Sequence, residues 1–291
     1  MLHPKLTRPL IPLALLALAA CADHRDKAGE QAAAAPEANA SATPPTITVR
    51  TRDFTFDTPD TLPAGATTIR LINDGPELHH VTLMRLGEHS LGDLVGFIQT
   101  EHKIPPWVVE VGGPNAPAPG EETNATLNLQ PGRYAMVCLI PSGDGIPHVM
   151  KGMAREIVVA PRGATLAESP DPDIEMKLTD YDFEMPELTT GKQTIRVVND
   201  AKQAHEAVIV RLGPGKTAMD FLAWVEKQEG PPPAKPLGGV TDMSPGESNL
   251  ITVDLPPGKY ALLCFTADAG DGRPHFMHGM VKEFTVRGAA T

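Results

Sequence analysis

Residues 131–153 read PGRYAMVCLIPSGDGIPHVMKGM, and residues 257–280 read PGKYALLCFTADAGDGRPHFMHGM. Each stretch opens on a Pro-Gly turn and passes through a Tyr into an apolar, strand-like segment that ends at a Cys. Glycines and prolines then make the following residues a loop. Each loop keeps a Pro-His pair and a Met beyond it. A loop that holds Cys, His and Met in one order, twice, points to chemistry rather than to packing.

The recurrence extends outward. TIRLIND at 68–74 matches TIRVVND at 194–200, RLG at 85–87 matches 211–213, and PGE at 119–121 matches 245–247. All of these pairs, like the two Cys-ended strands, share one offset of 126 residues, which drifts by one only in flanking loops such as those of Pro59 and Pro186. The chain is therefore a duplication, with copies over 46–160 and 174–287 joined by a linker at 161–173.

Within each copy, alternating apolar and polar residues mark strands: TITVR, TTIRLIN, HVTLMRL, ATLNL and REIVV in the first. One helix interrupts the series, SLGDLVGFIQTEH with Ser90 as N-cap and TAMDFLAWVEKQ with Thr217 and Asp220 in a capping-box spacing. Trp107 and Trp224 read as core or cover residues around it. Many short strands per copy predict an all-β protein of two Greek-key sandwiches. Aromatic residues at only 4%, with 26 Gly and 30 Pro, agree with short strands and many turns.

The N-terminus predicts export. Lys5 and Arg8 precede PLIPLALLALAAC, an apolar run too short to span a bilayer comfortably, so residues 1–20 read as a signal peptide. Leu18-Ala19-Ala20-Cys21 resembles the lipobox of bacterial lipoproteins, which implies cleavage before Cys21 and lipid on its thiol. The alternative is a plain signal peptide with an incidental Cys. Residues 21–45 are Ala-, Pro- and polar-rich and read as a tether, with His24 solvated in it. The formal net charge of −11 argues against a nucleic-acid partner, which needs a basic face.

In order along the chain, the shared polar residues are His79, Cys138, His148 and Met153, then His205, Cys264, His275 and Met280. Each first His lies at the predicted start of a strand. This order resembles the cupredoxin family of blue copper proteins, with PHVMKGM and PHFMHGM as its most specific pieces, and the resemblance spans both copies. It implies two tandem cupredoxin-like sandwiches, each with one inserted helix. It also implies one type 1-like copper in each, two per chain, held by two His, the Cys thiolate and an axial Met. The Cys-to-His gap looks more like the type 1 loop of copper nitrite reductases than that of small blue copper proteins. Such a donor set, an imidazole–thiolate plane with a weak axial Met, suits both oxidation states of copper.

Several assignments stay open at this level. His80 adjoins His79, but only His79 has a counterpart, His205. Met150 and Met277 also recur and compete with Met153 and Met280 as the axial group. His278 has no partner in the first copy, where Lys151 stands; His89 and His102 flank the helix and read as surface residues; Asp144 and Asp271 read as turn residues. A lone Cys is commonly a small apolar core residue and a lone His a satisfied polar group. A metal-free scaffold and a Cys138–Cys264 disulfide are the alternatives to copper.

Enzymes of this fold place His beside the type 1 Cys or in His-x-His pairs. Here Val137 and Leu139, and Leu263 and Phe265, flank the cysteines, and no His-x-His occurs. The expectation is therefore a non-enzymatic protein of one-electron transfer. It would be lipid-anchored in a bacterial cell envelope and face the periplasm, with a redox protein as partner. Ala22 after the Cys resembles outer-membrane-sorted lipoproteins of Gram-negative bacteria, and the outer and the inner membrane both stay open. Copper handling or resistance without a redox partner is the second reading, and a metal-free interaction module the third.

Overall fold

The computed structural model describes residues 43–161, 167–227 and 229–288. The signal peptide, Cys21, the tether up to residue 42 and part of the linker lie outside them. The first copy runs β1 (Thr46–Arg52), β2 (Thr55–Asp57), β3 (Thr61–Pro63), β4 (Gly65–Asn73), β5 (Thr82–Arg85), α1 (Leu91–Glu101), β6 (Val109–Gly112), β7 (Glu122–Leu129), β8 (Gly132–Val137), a 3-10 turn (His148–Lys151) and β9 (Ala154–Ala160). The second runs β10 (Ile174–Thr179), β11 (Asp182–Glu184), β12 (Gly191–Asn199), β13 (His205–Leu212), α2 (Ala218–Lys227), β14 (Ala234–Met243), β15 (Ser248–Leu255), β16 (Gly258–Leu263), a 3-10 turn (His275–His278) and β17 (Val281–Val286).

The expectation of an all-β chain of two tandem sandwiches, each with one helix, holds. In the first copy β2-β1-β4-β7 faces β3-β9-β8-β5-β6, with β1 parallel to β4 and β3 parallel to β9. The other strand pairs of the copy are antiparallel. From Thr67 onward β4 alternates between buried and half-buried side chains, as a strand with one face in the core does. Residues 134–137 of β8 are all buried, because that sheet is covered on both faces, by the opposing sheet and by α1. The Pro-Gly turns before β8 and β16 are each stitched by a tyrosine: Tyr134 donates to the Gln130 carbonyl and Tyr260 to the Pro256 carbonyl.

Both helices start as the sequence indicates. Ser90 Oγ accepts the Asp93 N–H and Asp93 accepts the Ser90 N–H; Thr217 and Asp220 repeat the exchange. Trp107 packs with Leu94 and Ile98 of α1, and Trp224 with Phe221 of α2, each helix covering the outer face of one sheet.

The sandwiches are not separate bodies. β7 pairs with β15 and β6 with β14, so the sheets run continuously as β11-β10-β12-β15-β7-β4-β1-β2 and β17-β16-β13-β14-β6-β5-β8-β9-β3. One apolar cluster accordingly spans both repeats. The junction is pseudo-symmetric: the Asn115 N–H donates to the Gly239 carbonyl, and the repeat-related Thr241 N–H to the Gly113 carbonyl. Both glycines have positive φ and lie against a neighbouring backbone. A Cβ on Gly113 would sit 2.0 Å from the Val81 oxygen, and one on Gly239 1.9 Å from the Ala207 oxygen. Among the described residues no helix is long and apolar enough to cross a membrane.

Candidate metal centres

The strand that precedes each cysteine delivers it to the end of the sandwich. Cys138 follows β8 and Cys264 follows β16 by one residue, and both are free, buried thiols. Each loop then folds back. The Val149 N–H bonds the Cys138 carbonyl, and the Met153 carbonyl accepts the Cys138 N–H at 3.2 Å; Phe276 and Met280 do the same around Cys264. This clamp sets the 3-10 turn beside the cysteine, so the His at the head of the turn meets the sulfur.

His79, Cys138 and His148 form one group whose ligand atoms all lie within 4.8 Å of one another; His205, Cys264 and His275 form a second. In the first, Nδ1 of His79 and Nδ1 of His148 are 3.2 Å apart, and Cys138 Sγ is 3.4 Å from His148 Nδ1. In the second, Cys264 Sγ is 3.8 Å from His205 Nδ1 and 3.4 Å from His275 Nδ1. An ion roughly 2.0–2.3 Å from each donor fits atoms this far apart. All six side chains are wholly buried. His205 opens β13 as expected. His79 instead lies three residues ahead of β5, in the loop after Asn73, whose side chain bonds the Gly75 N–H and the Glu77 carbonyl and turns the chain.

Met153 and Met280 are wholly buried in the cluster that holds both cysteines. Met277 is 46% exposed, and Met150 packs beneath α1 with the helix cluster. His80 turns away and accepts the Leu139 N–H at 2.8 Å. His89 stacks on Trp107, and His102 caps the end of α1. Asp144 accepts the Ile146 N–H and Asp271 the Arg273 N–H, as turn residues do.

The sequence reading missed the carboxylates behind the ligands. Asp53 Oδ1 lies 2.6 Å from His79 Nε2, Glu77 Oε2 2.9 Å from His148 Nε2, and Asp180 Oδ1 3.1 Å from His205 Nε2. Asp268 Oδ2 stands 3.8 Å from His275 Nε2, which has no hydrogen-bond partner. A faint signal existed for two of them. Asp53-Phe54-Thr55-Phe56 and Asp180-Tyr181-Asp182-Phe183 share Asp-aromatic-x-Phe at the shifted offset of 127 seen for Pro59 and Pro186.

A carboxylate at Nε2 places the ring hydrogen there and leaves Nδ1 as a lone pair. Burial lowers the pKa of His79 and His205 and takes His275 down to about 4, so the neutral ring is favoured. Burial pushes the Cys138 thiol up to about 12 and raises that of Cys264 as well. A bound cation reverses this, because a metal takes the thiolate.

No family model matches the sequence, and no curated protein matches it. Similar solved structures include a sodium-dithionite-reduced auracyanin from the photosynthetic bacterium Roseiflexus castenholzii. It is 26% identical over 39% of this chain and 95% of its own, with a TM-score of 0.28. Auracyanin A of Chloroflexus aurantiacus, a "blue" copper protein, is 21% identical over 40% of this chain and 99% of its own, with a TM-score of 0.31. A copper-containing nitrite reductase of Thermus scotoductus is 14% identical over 84% of this chain and 62% of its own, with a TM-score of 0.24. At these TM-scores the likenesses do not carry the assignment of the centres, which rests on the geometry above.

Proposed function

We propose that the chain binds one copper in each repeat and acts in one-electron transfer at the cell envelope, held there by lipid on Cys21. The observation that carries this is the pair of buried Nδ1 atoms of His79 and His148, 3.2 Å apart beside the Cys138 sulfur. With Nε2–H directed at Asp53 and Glu77, both Nδ1 atoms are acceptors facing each other; the Cys138 thiol, 3.4 Å from His148 Nδ1, can donate to that one and leaves His79 Nδ1 without a donor. A cation between them resolves that repulsion and uses all three donors.

His79, Cys138 and His148 would hold the first copper and His205, Cys264 and His275 the second, with buried Met153 and Met280 as candidate further donors. Two imidazoles with a thiolate favour copper over hard cations. Copper so held supplies a one-electron couple. The protein fixes the donors beforehand: the cysteine–turn clamp sets sulfur against His, and the carboxylates orient the rings. Valine, leucine and phenylalanine, not histidine, flank the cysteines, which favours a carrier over an enzyme.

The test is a copper titration of the chain from residue 46, followed by its absorption spectrum. Two equivalents and an intense thiolate-to-copper charge-transfer band are expected. A chain that takes up no copper under reducing or oxidising conditions overturns the reading. For the anchor, Cys21→Ser is expected to release the protein from membranes; wild-type protein found wholly in detergent-free extracts overturns it.

A further inference from the structure

The two centres differ most in what stands beside the thiol. The residue after the first ligand is His80 in one repeat and Glu206 in the other, and both fill one role. His80 Nε2 accepts the Leu139 N–H at 2.8 Å and Glu206 Oε1 accepts the Phe265 N–H at 2.9 Å, each from the residue after the cysteine. His80 is a buried imidazole that burial holds neutral, its pKa pushed down to about 3. Glu206 is a buried acid in the same place. Its second oxygen accepts Asn115 Nδ2 at 2.8 Å from across the repeat junction, so both oxygens accept N–H bonds, as a carboxylate does.

Glu206 does not stand alone. Buried Asp242 and Glu110 are its electrostatic neighbours. At the first centre the repeat-related positions carry His80, Ala116 and Pro236 and no acid.

Cys264 is faced by one backbone N–H, that of Glu206 at 3.5 Å, and by Thr266 Oγ1 at 3.4 Å. The Thr266 hydroxyl gives its hydrogen to Asp242 Oδ1 at 2.6 Å and so has none for the sulfur. Negative charge near the metal favours the more highly charged oxidised ion.

We infer that the chain carries two unequal copper centres, and that Glu206, with Asp242 behind it, makes the centre on Cys264 the more reducing. This rests on the copper reading above. The test is a spectroelectrochemical titration of two full chains, Cys138→Ala and Cys264→Ala, each with one centre left. The Cys264 centre is expected to favour the oxidised state at least tenfold more, a potential lower by about 59 mV. Equal potentials, or the reverse order, overturn the inference while leaving the copper reading intact.

Glu206→Gln in the Cys138→Ala chain keeps an acceptor for Phe265 and removes the charge. It is expected to raise the potential at least threefold in the ratio of reduced to oxidised copper, with the charge-transfer band retained. Asp242→Asn is expected to act in the same direction and serves where Glu206→Gln does not fold. A potential unmoved by both substitutions overturns the role of Glu206. Failure of either chain to bind copper removes the copper reading and this inference with it.

Discussion

His79 and His148 meet through like atoms. Their Nδ1 nitrogens lie 3.2 Å apart in a wholly buried site, while each Nε2 is taken by a carboxylate, Asp53 or Glu77. Without a cation this contact is unfavourable, and with one it becomes a binding energy that exists only in the folded chain. Copper at a thousand times its dissociation constant is expected to add about 4 kcal/mol per site. The melting temperature should rise clearly with copper and not with magnesium. Equal melting curves with and without copper point to a metal-free scaffold.

In the copper reading, the carboxylates behind the rings orient the ligands without touching the ion. Asp53→Asn and Glu77→Gln are each expected to weaken copper at the first centre by about 10–100-fold. The second centre, supported by Asp180, should be unaffected. Competition with a copper chelator, read at each centre in chains lacking the other cysteine, measures both. Equal weakening at both centres speaks for general unfolding instead.

Asn115 belongs to the first repeat by sequence and to the second by contact. Its Nδ2 donates to Glu206 Oε2 and to the Val240 carbonyl, both buried. Asn115→Leu leaves these acceptors unpaired and is expected to destabilise the chain by about 1–3 kcal/mol. Because the sheets are continuous, the loss should move one cooperative transition of the whole chain. Two transitions in calorimetry, with only one of them moved, argue against a joint fold.

His80 sets a pH limit. Its imidazole is buried neutral with a pKa of about 3, whereas an unfolded histidine titrates near 6.5. Below about pH 6.5 the unfolded chain takes up a proton that the folded chain does not until about pH 3. The stability that His80 contributes is therefore full above 6.5 and declines as pH falls through that window. The copper-free chain should melt at progressively lower temperature from pH 6.5 to 4, and His80→Gln should flatten this slope. An unchanged slope in the variant assigns the effect to other groups.

The fold was legible because the duplication fixes the register of every strand, and because the Pro-Gly-x-Tyr turns and capping boxes sit at matching positions. The order His79, Cys138, His148, Met153 was legible because its last three members lie within one stretch and the first recurs in the copy as His205. Asp53, Glu77 and Asp180 were harder to see, since each reaches its histidine through the fold and only a shared Asp-aromatic-x-Phe pattern marks two of them, while Asp268 lies in the quoted loop but stands 3.8 Å from His275 Nε2. Glu77 has Gln203 as its counterpart, so the repeat itself hid that role. The sheet junction escaped as well: the pairing of Met243 with Val111 joins edges whose apolar alternation looks the same in a free sandwich.

The pairing of β6 with β14 and β7 with β15 joins each strand to its own repeat-related twin. Such a contact is isologous in the sense used for two-fold dimers, and it is self-limiting. Each copy spends the same edge on the other, so a third copy would find no matching edge to join. What remains outermost are β2, β11 and β3, of three residues each, and β17 with its Lys282 and Glu283. Strands so short or so charged are poor templates for a further chain. The arrangement therefore terminates growth: it makes a closed pair of metal-binding units rather than the first two links of a fibre.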